Sequence, residues 1–436
     1  MTVLAAARRS AVPAKRLGRW RLTRVAVCTA MVALPLLRPT GPLNTGLVDL
    51  ALLGAMCVAG LWASIRAHRI QLPYAVPVAL MILGGALAAT HAGLVGDATL
   101  GLAGQSVVAI FQDVFVFAWT AAIATLGQDE QLLDLFCRAW AYSATAWAAL
   151  LIVGELLGIS AITGITAREG IRASLTLGDP NLAADYFLVA LFVMRAAQRP
   201  RRARWRWLAC ALVITGIVLT LSNGGVLALL VATAVGALFR VARRHGLGLA
   251  LVLGASLALV GAVVYRTVDL NALVTSAAQS SPFLRDSVGR SAESGGSRTT
   301  LIKESVVLYL NMDNVLGLGP ANTETTLSAR QAAYVKEAHD DYVATLLERG
   351  LIGSVGLILL VASVGVRSRR IARSGWLPPD YRDAVPRPDL LGAGLVAVGM
   401  SAAFYETLHF RHVWALFGLI AALELAGRPP VHRSAS

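Results

Sequence analysis

The stretch Glu337–Gly353 reads EAHDDYVATLLERGLIG and sets one histidine and two aspartates directly before an apolar run. An imidazole titrates near neutral pH and takes a proton from an attacking hydroxyl, so His339 has the chemistry of a general base. Asp340 or Asp341 has the chemistry to orient it. The plain alternative is a loop histidine without a role. His-Asp-Asp is also half a metal site, but no further residue stands at ligand spacing nearby, so no metal is expected. No cofactor is expected either. Gly317-Leu318-Gly319-Pro320 lacks the preceding strand and following lysine of a nucleotide loop and reads as a turn.

Arginines form the second set: Arg168 and Arg172, then Arg285, Arg290 and Arg298. A planar guanidinium binds phosphate oxygens in pairs and keeps its charge. The alternative is that these side chains are solvated or meet lipid headgroups. Asp179-Pro180-Asn181 has the order of a capped helix start, with proline in the first turn. Gln112 and Asp113 interrupt an apolar run, where a carboxylate is costly and often functional. Glu406, His409, Arg411 and His412 cluster between the last two apolar runs, where they would line the same cavity.

The elements that position these residues follow from composition. The chain is 56% hydrophobic and 15% charged, with a mean hydropathy of +0.64. Apolar runs recur along the whole length, which predicts an all-α polytopic membrane protein. They do not alternate as barrel strands do. The net charge of +14 lies in short clusters between runs, so it anchors and orients the chain, and no nucleic-acid partner is expected. The four cysteines include no CxxC pair and give no disulfide framework. The basic and then apolar N-terminus reads as an uncleaved first helix.

Twelve spans are expected, near 25–37, 45–65, 72–94, 105–126, 140–163, 182–197, 207–221, 225–239, 247–265, 350–366, 390–408 and 412–427. Gly127–Arg138 reads as a polar, partly amphipathic connector, Ser222-Asn223-Gly224-Gly225 as a tight turn, and the prolines of 376–388 as keeping that stretch non-helical. The expected organisation is a basic tail (1–24), nine spans (25–265), a long loop (266–349), three spans (350–427) and a short tail (428–436). An even count puts both termini on one side. That side carries 27 of the 39 Lys and Arg residues, so the termini are expected in the cytoplasm and the loop outside. No internal repeat of the kind found in many transporters is visible.

The pattern His339-Asp340-Asp341-Tyr342 followed by Leu346-Leu347-Glu348-Arg349-Gly350-Leu351-Ile352-Gly353 resembles the signature of the O-antigen ligase and polymerase superfamily of bacterial envelope enzymes. Arg298–Gly319 is similar to that family's arginine-led helix ending in a glycine turn. Asp179-Pro180-Asn181 and the Ser222–Gly225 turn also fit, and the resemblance covers roughly residues 165–355. Two positions depart from the pattern. Asp340 stands where the family usually has asparagine, and Asn223 where it often has an arginine associated with donor phosphate. Arg172 is the candidate to supply that charge.

The resemblance implies a metal-independent, inverting glycosyltransferase acting outside the bacterial inner membrane. Its donor would be a glycan on undecaprenyl diphosphate and its acceptor a hydroxyl of a glycan, glycolipid or protein. His339, with Asp340 and Asp341, would carry the catalysis; Arg298, with Arg172 or Arg290, would bind the diphosphate. The single long outer loop leans toward ligase-type transfer, and polymerisation of lipid-linked repeats is the near alternative. A flippase for lipid-linked sugar is the rival of another class. It needs essential charge at mid-membrane, such as Asp113, and does not need His339.

Overall fold

Apolar runs separated by basic turns fold, in the computed structural model, into a bundle with no strand among the described residues. These are 17–40, 45–95, 102–166, 171–267, 272, 276, 279, 290–329, 340–373 and 375–428. At 17–20, 95, 102–103, 264–265, 267 and 290–299 the description covers the backbone alone. In order the helices are α1 (Leu17–Ala33), α2 (Leu47–Arg66), α3 (Ala75–Val95), α4 (Leu102–Leu126), α5 (Glu130–Leu156), the short α6 (Ser160–Thr163), α7 (Pro180–Ala196), α8 (Ala203–Leu219), α9 (Asn223–His245) and α10 (Leu247–Thr267). Then come α11 (Arg290–Leu310), α12 (Thr323–Ala329), α13 (Asp341–Ile371), α14 (Pro379–Ala384), α15 (Asp389–Ala402) and α16 (Arg411–Ala426).

Among the described residues, six stretches are long and apolar enough to cross a membrane: Leu47–Arg66, Ala75–Leu94, Gly104–Leu126, Glu130–Leu156, Asn223–His245 and Asp341–Ile371. The chain is therefore a multi-pass helical membrane protein. The other six expected positions also carry helices, α1, α7, α8, α10, α15 and α16, but these are shorter over their described residues.

The shortness of α7 and α16 goes with their place at the centre. Val413 to Leu423 and Leu182 to Met194 are buried without interruption. A helix that is apolar all round must be covered all round. Helices α5, α8 and α15 cover α7, while α4 and α13 cover α16. At 1.5 Å per residue, the 17 residues of α7 span only about 25 Å. Its ends stay inside the protein, and so do its polar residues.

Polar cross-links sort to two ends of the bundle. At one end the starts of α2, α4, α7, α9, α13 and α16 meet. Asp49 pairs with Arg411 at 3.0 and 3.1 Å, Asn322 donates to Ser106 at 3.1 Å, and Ser222 donates to Asn181 at 3.1 Å. At the other end the fully buried Glu424 accepts from Arg367, Arg370 and Arg428, and Arg199 pairs with Asp134. There Tyr381 donates to the carbonyls of Gly127 and Gln128.

Two sequence expectations, on Gly127–Arg138 and on 376–388, are corrected. Gly127–Arg138 is mostly helix: Asp129 caps α5 by accepting from the N–H groups of Gln131 and Leu132, both at 3.1 Å, and Arg138 pairs with Asp134 one turn back. The polar residues are the outer face of the first turns of α5. The stretch 376–388 is not wholly non-helical either. Pro379 starts α14, a first-turn position where a missing N–H costs nothing. The region 266–349 holds helices α11 and α12, and its last residues are the first turns of α13.

Helix α13 is broken at Gly350, whose φ of +61° and ψ of −160° lie outside helical space. The break frees backbone groups, and the 314–319 loop satisfies them. Leu318 and Gly319 donate to the carbonyls of Leu347 and Glu348 at 2.9 and 3.0 Å, and Leu351 donates to Val315 at 3.1 Å. The Gly317–Pro320 turn is thus a plug for the broken helix. A Cβ at 350 would collide with the Val315 carbonyl. Gly350→Ala is expected to cost at least about 1–3 kcal/mol from backbone strain alone. A thermal unfolding midpoint equal to wild type would refute this account of the break.

Candidate functional site

The site is built where the helix starts meet. Asp340 caps α13, its carboxylate accepting from the N–H groups of Tyr342 and Val343 at 2.8 and 2.9 Å. Asp341, 3% exposed, turns the other way. It accepts from the Thr407 N–H at 2.7 Å, the Thr407 hydroxyl at 2.6 Å and the Leu408 N–H at 3.2 Å. Both carboxylates therefore fix backbone: Asp340 holds the start of α13, and Asp341 ties it to the strap between α15 and α16. His339 lies outside the described residues.

Arg172 is buried, 7% exposed, in the link between α6 and α7. Its Nε donates to the Thr220 carbonyl at 3.2 Å and its Nη2 to Asn181 Oδ1 at 2.7 Å. The same Asn181 oxygen accepts from Ser222, whose hydroxyl lies 3.0 Å from that of Tyr405. The Ser222–Asn181 bond thereby joins two motifs of the sequence, and the guanidinium braces that junction from Asn181 to Thr220. Asp179 caps α7, accepting from the N–H groups of Asn181 and Leu182. Ser222 caps α9, accepting from Gly225 at 3.2 Å. Gly224 must be glycine for packing, since a Cβ there would collide with the Tyr405 hydroxyl. Arg172 thus stands against the turn that holds Asn223.

The strap 404–410 connects the two groups, with Tyr405 on Ser222 and Thr407 on Asp341. Helix α11 docks on the first half of α13 through Leu301, Leu308 and Leu347, with Leu327 of α12. That packing brings the backbone of Arg298, one turn before Leu301, to the same end. The side chains of Arg290 and Arg298 lie outside the described residues, as do Arg168 and Arg285.

Other singled-out residues have different partners. Asp113 of α4 forms a two-pronged pair with Arg349, one contact at 3.2 Å. Arg411 goes to Asp49, and His412 lies 2.9 Å from Asp185 inside the bundle. Within the cluster at 406–412, Arg411 thus turns to α2 and His412 to α7. The roles of Tyr405, Thr407 and Arg349 escaped the sequence reading. Only the last left a signal: an intramembrane aspartate needs a cation, and Arg349 opens the next apolar run.

Beneath Asp341, Tyr342 and Thr407 lies a half-open cavity of about 960 Å³, at the upper end of the range of ligand clefts and cavities. It follows α13 between α9 and α15, lined mostly by apolar residues, and ends at Arg243, Arg369 and Arg373. No group of three or more His, Cys, Asp or Glu among the described residues is placed to hold a metal ion.

A broken helix, a polar site where helix starts converge and an apolar cavity below it mark this multi-pass membrane protein. Residues 208–358 match the family model described as O-antigen ligase, and the match supports assignment to the O-antigen ligase and polymerase superfamily. The matched segment runs from α8 into α13 and contains the Ser222–Gly225 turn, Arg298 and the 339–353 stretch. No curated protein matches the chain.

Proposed function

We propose that the protein transfers a glycan from a polyprenyl-diphosphate donor to an acceptor hydroxyl outside the bacterial inner membrane, in envelope polysaccharide biosynthesis. The observation that carries this reading is the apolar cavity opening directly beneath Asp341 and Thr407. The first units of a polyprenyl tail fit the upper half of the cavity, and the diphosphate then lies where Arg172 and the starts of α7, α9 and α13 converge. Helix starts present N–H groups and partial positive charge to anions.

In this reading the acceptor oxygen attacks the anomeric carbon and His339 takes its proton. The bond to the diphosphate oxygen breaks, and the configuration inverts. Arg172, with Arg298 or Arg290, holds the negative charge that develops on the leaving diphosphate. Positioning and fixed cations supply the catalysis without a metal. Asp340 and Asp341 act by holding the backbone immediately after His339. The chain crosses the membrane twelve times, with both termini cytoplasmic and the 266–349 region outside. The shared direction of α2, α4, α7, α9, α13 and α16 supports that threading.

The test is an envelope-glycan profile from a host lacking the protein. Loss of attached glycan with accumulation of lipid-linked donor, reversed by the wild-type chain, is the expected result. An unchanged profile rejects the reading. Uniformly short chains would assign polymerisation instead of ligation. Arg172→Ala is expected to weaken donor binding about 10- to 100-fold, the worth of one or two hydrogen bonds to a charged group. Binding unchanged in that variant would remove Arg172 from the diphosphate site.

A further inference from the structure

The far end of the cavity has a chemistry of its own, independent of the transferase reading. Arg369 stands in the last turn of α13 and Arg373 just past its end, both exposed, and neither makes an ion pair among the described residues. Arg243 closes the mouth from α9, with its Nη1 3.8 Å from Asp389 of α15. Asp389 is already held by both prongs of Arg387, at 3.3 and 3.1 Å, so the mouth keeps a positive excess. Inward from it the wall turns apolar at once through Val364, Val361, Leu360 and Leu357. From Ser368 to Leu357 is about 16 Å along the helix, at 1.5 Å per residue. That is about half of a ~30 Å hydrocarbon core, the depth of one leaflet.

We propose that this basic mouth and the lower half of the cavity bind an anionic glycerophospholipid, its phosphate on Arg243, Arg369 and Arg373 and an acyl chain along Val361 and Val364. Three guanidiniums around one opening suit a phosphate that carries net negative charge. Phosphatidylcholine, which is zwitterionic, brings a quaternary ammonium to the same arginines and is disfavoured. General attraction between basic segments and anionic lipid does not predict a saturable site joined to an apolar channel.

Native mass spectrometry of the full-length protein, stripped of lipid in detergent and titrated with phosphatidylglycerol or phosphatidylcholine, tests this. Wild type is expected to retain one or two phosphatidylglycerol molecules saturably and little phosphatidylcholine. The R369A/R373A variant is expected to retain phosphatidylglycerol about 25-fold more weakly, about five-fold for each basic residue. Val361→Trp, which fills the channel and leaves every arginine in place, is expected to abolish retention. R201A/R202A, at exposed arginines away from the cavity, is the control and is expected to bind as wild type. Equal retention of the two lipids, undiminished binding in R369A/R373A or Val361→Trp, or an equal loss in the control would each overturn the proposal.

Discussion

His339→Ala is expected to insert and unfold like wild type yet transfer glycan about 10²–10⁴ times more slowly, the usual worth of a general base. The residues next in the chain make a normal fold the expectation. Asp340 spends its carboxylate on the first N–H groups of α13, and Asp341 spends its own on Thr407 and Leu408. The chain is therefore pinned from residue 340 onward without the imidazole, so its removal leaves the fold's anchors in place. The pinned point sits at the mouth of the apolar cavity, with the Arg172–Asn181–Ser222 group joined to it through Tyr405 and Thr407. A single-turnover assay with saturating donor separates the roles. A slow chemical step with donor affinity preserved marks His339 as the base. Lost affinity at an unchanged step would move it to binding, and wild-type turnover would remove it from the reaction.

The sequence exposes the features that depend on local pattern. Apolar runs mark the helices, basic clusters mark the turns, and Asp179-Pro180 marks the start of α7. It hides the features that depend on which helices become neighbours. Asp341 and Thr407 are 66 residues apart, Arg172 and Thr220 are 48 apart, and Asp113 and Arg349 are 236 apart. Nothing in the local pattern of Asp341 or Arg172 specifies its partner, and for Asp113 the pattern says only that some cation is needed. Motif pairing is partly legible, because Asp179–Asn181 and Ser222–Gly225 both suit helix starts. That one guanidinium braces their junction is not, since Arg172 lies in an irregular link whose path is set by packing. The first turns of α5 mislead for a physical reason. Their polar face points away from the apolar core, so the stretch looks like a connector while its helical capping and its Asp134–Arg138 pair pass unnoticed.

Removing one partner of the Asp113–Arg349 pair is expected to destabilise the protein by about 3–5 kcal/mol, because the remaining buried charge loses its two-pronged partner. Both side chains are nearly enclosed, 13% and 11% exposed, and the contact is two-pronged. Arg349 also precedes the break at Gly350, so the pair fastens α4 to the segment that the 314–319 loop plugs. Asp113→Ala should therefore unfold at lower temperature or in less denaturant. D113L/R349M, which replaces both charges by apolar groups of similar size, should recover most of the loss, since an apolar pair often substitutes for a buried ion pair at little cost. Activity then decides what the pair is for. Near-wild-type glycan transfer by D113L/R349M means that the mid-membrane charges are a fastening. If that variant is stable but inert, the charges themselves are needed, as a translocator of lipid-linked sugar would require, and the transferase reading loses its advantage over a flippase. The structure favours the first outcome, because both prongs of Arg349 engage one carboxylate and the apolar cavity runs past Leu357 and Leu360 without including either charge.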